Sequence, residues 1–170
     1  MGTQERDAQF REFVEARWPA LVRFGYVLTG DAGHAEDLVQ HALERCWRRW
    51  DRIEAGSPER YVKAAMANLA VSRWRRRRVG EVRLPEGAEG RPVPSGEHAY
   101  VVRDLVWREV QALPPRMRAV VVLRWLEDLT EAETAAALGC SVGSVKSQSS
   151  RALARLRDRI DVTTLTEVLR

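Results

Sequence analysis

Apolar residues recur along this chain in steps of three and four, and almost nowhere in strict alternation, so the pattern predicts helices and no sheet. Phe10, Phe13, Val14, Leu21, Val22 and Val27 predict an opening helix or helix pair, broken near Pro19 and ending around Thr29-Gly30. From Ala35 the stripe is continuous through Leu38, Val39, Ala42, Leu43, Cys46, Trp47 and Trp50, with Asp31 or Gly33 placed to cap its start. The opposite face of that helix carries Asp37, Gln40, His41, Glu44 and Arg48. A short loop, Asp51 to Gly56, then leads to Ser57-Pro58, a serine cap with proline at the first helical position, and the helix it opens runs to about Arg78.

The periodicity stops at Gly80–Gly96, which holds three prolines and four glycines and few apolar side chains, the composition of a linker. Beyond it Val101, Val102, Leu105, Val106, Val110 and Leu113 describe a helix stopped by Pro114-Pro115, and a second follows from Arg116 to about Glu127. Thr130-Glu131-Ala132-Glu133 is a capping-box sequence that opens a helix ending at Gly139. Ser141 caps the last helix, whose inner positions are Val142, Val145, Ala152, Leu153 and Leu156. The fold class is therefore all-α, two small helical domains joined by a flexible linker: residues 1–79, a tether at 80–97, residues 98–160, and a tail at 161–170.

From Thr130 to Leu156 two short helices flank a glycine-containing turn, the layout of a helix-turn-helix. In such a unit the second helix enters the major groove of DNA. Its outward positions are Ser144, Lys146, Ser147, Gln148, Arg151 and Arg155, with no carboxylate before Asp158 to repel phosphate. Arg73 and Arg75–Arg78 form a second basic cluster, which fits nucleic acid and equally fits a helix C-terminus.

Composition narrows the partner class. The 170 residues carry a formal charge of +4, 45% hydrophobic and 31% charged residues, and an isoelectric point near 9.6, a balance that suggests a soluble protein with a polyanionic partner. Lys63 and Lys146 are the sole lysines. Cys46 and Cys140 lie in no CxxC pair and have no ligand spacing with the three histidines, so no metal or cofactor is expected. No apolar run approaches the ~20 residues needed to span a bilayer, and the charged Met1–Arg11 segment is unlike a signal peptide, so membrane insertion is not expected and a cytoplasmic location is. A phosphate loop, a metal cluster and a nucleophile–base pair are all missing, which argues against an enzyme.

Three blocks of sequence carry a more specific resemblance. Gly30–Trp50, with its AEDLVQ core, resembles the polymerase-binding helix of the sigma-70 superfamily. Ser57–Arg78 resembles the following helix, which handles the −10 promoter element, and Leu113–Arg157 is similar to the −35-binding domain. Two domains with nothing obvious between them match the extracytoplasmic-function (ECF) group, and LVRFGYVLTGDAGHAEDLVQ with the Trp-Arg-Arg-Arg run resembles its actinobacterial SigE-like branch. The resemblance implies an RNA polymerase specificity subunit that binds core polymerase at its clamp and flap regions and engages promoter DNA. It leaves open an anti-sigma factor as a further partner.

Residue by residue, the resemblance implies that Asp37, Leu38, Gln40, His41 and Glu44 lie at the polymerase. Arg52, Ile53, Glu54, Ala55 and Gly56 would wall a pocket for a flipped-out −10 base, with Lys63, Asn68, Arg73 and Arg75 along the melted strand. Ser144, Lys146, Ser147, Gln148, Arg151 and Arg155 would hold the −35 duplex. His41 stands where an acidic residue is common, and Ser72 where an aspartate is common. The element names imply a separation of ~25 base pairs, or ~85 Å at ~3.4 Å per step. The tether can just reach if it is slack in the free chain and extended at work. A plain helix-turn-helix regulator is the rival reading, and it has no use for the DLVQ helix.

Overall fold

A computed structural model describes residues 3–53, 56–79, 98–161, 163, 164 and 167. The tether expected at 80–97 lies outside these residues, as do Glu54 and Ala55 and most of the tail. The chain folds as α1 (Thr3–Thr29), α2 (Ala32–Trp47), α3 (Trp50–Ile53), α4 (Pro58–Val79), α5 (His98–Gln111), α6 (Pro115–Val121) with a π-helical turn over Val122–Leu126, α7 (Glu131–Leu138) and α8 (Val142–Arg157).

The opening segment is one helix rather than a broken pair, because α1 runs through Pro19. Pro19 is exposed, so the carbonyl it leaves without a helical donor lies on the wet side, while Leu21, Phe24 and Leu28 hold the inner side in the core. α1 and α2 approach closely at Gly25, where an added Cβ would lie 3.1 Å from the Ala35 carbonyl oxygen. Asp31 caps α2 through a 2.7 Å hydrogen bond accepted from the His34 N–H, so aspartate and not Gly33 does the capping. Leu38, Val39, Ala42, Leu43 and Cys46 are buried as the stripe requires. Burial pushes the Cys46 thiol up to about 12, which leaves it a small inert hydrophobe.

Asp51–Ile53 belongs to a helical turn instead of a loop. Trp50 anchors it at 2% exposure, edge-on to Phe10 at 5.0 Å and beside Phe13 at 5.2 Å. An aromatic anchor of that size holds the turn against α1.

The two helical groups on either side of residues 80–97 share one hydrophobic core. Leu21, Phe24, Val62 and Met66 of the first group belong to the same buried cluster as Val106, Leu113, Met117 and Leu123 of the second. Arg118 donates to the Leu28 carbonyl at 2.6 Å and Gln111 to the Tyr26 carbonyl at 3.1 Å, tying α6 and α5 to the end of α1. The π-helical turn closes with Glu127 N–H on the Val122 carbonyl, and Asp128 follows with φ 51. That geometry ends the helix with Glu127 against α4.

Candidate nucleic-acid interface

The helix-turn-helix forms as its sequence requires. Thr130 accepts from the Glu133 N–H at 3.2 Å, and Glu133 accepts from the Thr130 N–H at 2.8 Å and its hydroxyl at 2.7 Å, a complete capping box. The Thr130 N–H and hydroxyl, and then Arg60, hold the Glu133 carboxyl below its ordinary range. Gly139 adopts φ 62, a left-handed turn open to glycine at no steric cost. Ser141 then caps α8 by accepting from the Ser144 N–H at 3.1 Å. Val120, Ala135 and Val145 pack together where α6, α7 and α8 meet.

At ~100° per residue, Ser144, Ser147, Gln148, Arg151 and Arg155 fall within ~100° of one another around α8. All are exposed except half-buried Gln148. Lys146 stands apart, ~160–200° from Ser144 around the axis. It faces α7, where Glu131 lies 3.7 Å away. Val142, expected inside, is 38% exposed. It lies at the very start of α8, beyond the reach of the packing that covers Val145.

On α2, Asp37, Gln40, His41 and Glu44 are exposed on one side. His41 Nδ1 lies 2.6 Å from the Asp37 carbonyl oxygen, which it can reach only as a donor, so its ring is pinned back along the helix. Leu38 does not join them: at 1% exposure it is core, because it sits on the apolar stripe that α1 and α4 cover. Glu44 borders two clefts, one against α1 with Phe10, Val14 and Trp47, and one of about 560 Å³ against α4 with His41, Arg45, Arg48 and Arg73. Arg45 carried no signal in the sequence, since only the packing of α2 on α4 makes it a neighbour of Arg73.

The residues expected on the −10 strand are divided. Arg52 and Gly56 are exposed, while Ile53 packs on the core. Arg73 faces the α2 cleft and Arg75 is exposed. Lys63 and Asn68 instead face the second helical group: Lys63 Nζ lies 2.9 Å from Glu127, and Asn68 donates to the Ala137 carbonyl at 3.3 Å. Beside them, Arg60 reaches Glu133 at 2.6 Å. Residues so far apart in the chain carry no periodic signal, and sequence reasoning missed Arg60, Glu127 and Glu133 as partners.

An all-α chain whose complete helix-turn-helix shows a carboxylate-free polar face belongs to the class of DNA-binding helical proteins. Comparison with known families specifies the kind. Residues 13–79 match Sigma-70 region 2 and residues 103–156 match Sigma-70 region 4. The RNA polymerase sigma-E factor of Streptomyces coelicolor is 40% identical over 89% of this chain and 86% of its own length. The ECF RNA polymerase sigma factor SigE of Mycolicibacterium smegmatis is 32% identical over 92% of this chain and 63% of its own length. Among solved structures, the sigma factor RpoE of Bartonella quintana, in complex with the anti-sigma factor NepR, superposes with a TM-score of 0.67 at 27% identity, over 95% of this chain and 99% of that one. The chain belongs to the sigma-70 family, in its extracytoplasmic-function group.

Proposed function

We propose that this sigma factor directs initiation by docking core polymerase through α2 and dividing promoter recognition between its two helical groups. Family membership makes it an RNA polymerase sigma factor for promoter-specific transcription initiation. The residue assignments are our own reading. Asp37, Gln40, His41 and Glu44 meet the polymerase clamp, the second helical group meets the flap, and Arg52, Gly56, Lys63, Asn68, Arg73 and Arg75 border the melted −10 strand.

The observation that carries the reading is the face of α8, where Ser144, Ser147, Gln148, Arg151 and Arg155 stand together with no carboxylate. Such a face supplies donors to base edges and cations to phosphates. The subunit supplies specificity, while bond formation belongs to the core enzyme, so it acts in the cytoplasm with polymerase. No described helix is long and apolar enough to cross a membrane. An anti-sigma factor is a further partner, since the Bartonella quintana neighbour is held by one.

Run-off transcription with core polymerase on a genomic promoter library tests the function. Promoter-dependent transcripts that require the chain support it. Tight, specific binding to promoter duplex by the chain alone, with no effect on core polymerase, would identify a plain regulator instead.

A further inference from the structure

We infer that Arg6, near the start of α1, is a positioning residue for −10 recognition: it fixes the turn that follows α2 and so sets the shape of the pocket wall at residues 52–56. The inference deepens the assignment of that turn to the flipped-out −10 base and rests on it. Family membership does not supply it, because Arg6 lies before the stretch at 13–79 that matches Sigma-70 region 2.

One guanidinium meets three groups at the junction of α2 and α3. Its Nη2 donates to the Trp47 carbonyl, its Nη1 lies 3.5 Å from the Asp51 carboxylate, and its central carbon lies 4.3 Å from the centre of the Trp47 ring. Trp47 is the last residue of α2 and Asp51 belongs to α3, so a side chain from α1 clamps both sides of the junction. The Trp47 carbonyl is among the last acceptors of its helix, which have no donor within it, and that end of the helix is electronegative. A cation that also donates answers both needs.

The fit is specific to arginine. Its planar fork donates to a carbonyl and a carboxylate at once while one face covers the indole, which the single nitrogen of a lysine cannot do. Ion pairing alone would hold little, since the Asp51 side chain is 58% exposed. The Arg6 side chain is only 25% exposed, so the carbonyl bond and the ring contact carry the clamp.

The aromatic contacts of Phe10 and Phe13 reach Trp50 and stop there, and Arg6 holds the residue that comes next. Backbone bonds then pass this position along the turn. The Arg52 N–H donates to the Arg49 carbonyl at 2.9 Å, and the Gly56 N–H donates to the Ile53 carbonyl at 3.1 Å. A turn tied at Trp47, Trp50 and Asp51 is held against tilting, whereas without Arg6 it pivots on Trp50. A fixed wall rejects the wrong base by clash, and a wall that shifts admits more than one base. Arg6 therefore acts on the choice of −10 base, not on the −35 contact.

The test compares Arg6→Met with the wild type in holoenzyme, below the thermal midpoints of both. Methionine keeps apolar cover over Trp47 and removes the donor and the charge. A good base contact discriminates about five- to a hundredfold, and Arg6→Met is expected to lower discrimination at −10 at least about threefold. The readout is the ratio of transcripts from the preferred promoter and from promoters with single −10 substitutions. The −35 preference and capture by core polymerase are expected to stay as they are. Unchanged −10 discrimination overturns the inference, and so do equal losses at −10 and −35, which mark a general loss of stability.

Amide hydrogen exchange in the free chain needs no promoter. Peptides covering Trp47–Ile53 are expected to exchange about tenfold faster in Arg6→Met, as loss of one hydrogen bond to a charged group implies, while peptides of α7 and α8 keep their rates. Equal rates at the turn mean that Arg6 does not hold it, which also overturns the inference. Replacing residues 51–56 with those of a related sigma factor tests the pocket itself. If that replacement shifts the −10 preference and Arg6→Met does not, the inference alone falls; if neither shifts it, the pocket assignment falls and takes the inference with it.

Discussion

Ser72 donates its hydroxyl to the Asn68 side-chain oxygen at 3.4 Å, one helical turn back on α4. That bond turns the Asn68 amide nitrogen toward the Ala137 carbonyl, so Ser72 helps to aim a contact between the two helical groups. An aspartate only accepts and would draw the amide nitrogen to itself. Ser72→Asp is therefore expected to cost about 1 kcal/mol, the worth of one hydrogen bond. That corresponds to a fall of ~2–4 °C in the thermal midpoint. An unchanged midpoint would mean that Ser72 does not orient Asn68.

The same contact carries a pH signature. Burial works to lower the pKa of Lys63, but hydrogen bonds and charge from Glu127 and Glu59 raise it above its ordinary 10.5. A raised folded-state value means that its stabilisation is complete below 10.5 and is lost as pH rises through the folded value. The difference in thermal midpoint between the wild type and Lys63→Met is expected to be full near pH 8 and to shrink above 10.5. Glu133 has the opposite sign: its carboxyl is held below 4.5, so its contribution is present above that value and is lost as pH falls. A midpoint difference that stays constant through pH 11 would contradict the Lys63 argument.

Charge reversal on α2 separates docking from folding. Asp37→Arg with Glu44→Arg alters two exposed side chains away from the buried Leu38, Val39 and Leu43 stripe. Helical circular dichroism is expected to be unchanged while capture by core polymerase weakens at least tenfold. Equal capture of both forms would remove α2 from the polymerase contact.

Arg151 and Lys146 are expected to differ in kind. Arg151 shares a side of α8 with Gln148 and Arg155, and a bidentate base contact there is worth roughly 1–3 kcal/mol. Arg151→Ala should lower promoter activity about tenfold or more. Lys146 lies round the helix beside Glu131, so Lys146→Ala should mainly reduce the salt dependence of binding. The assignment fails if both variants leave transcription and its salt slope untouched.

The turn at residues 51–56 offers the sharpest test of −10 specificity. Trp50 fixes its start and Pro58 opens α4 behind it, so an exchange between these anchors preserves the frame. Replacing residues 51–56 with those of a related sigma factor is expected to change the preferred −10 bases and leave the −35 preference alone. Selection from a randomised promoter would show an unaltered −10 consensus if the pocket lies elsewhere.

Short-range chemistry was legible in the sequence and long-range pairing was not. The Asp31 cap, the Thr130–Glu133 box, the Gly139 turn and the Ser141 cap each depend on residues within a few positions, so composition and spacing suffice to specify them. The exposed sides of α2 and α8 followed from periodicity for the same reason. Periodicity could not say that α1 continues through Pro19, since that depends on Leu21, Phe24 and Leu28 being buried by other helices. Nor could it show that Asp51–Ile53 is helical, which follows from the Trp50 ring against Phe10 and Phe13. Lys63 and Glu127 lie 64 residues apart on either side of the tether, with no local pattern to connect them. A basic side chain on α4 offers the same charge to DNA phosphate and to a carboxylate, and only the tertiary fold decides which of the two it meets.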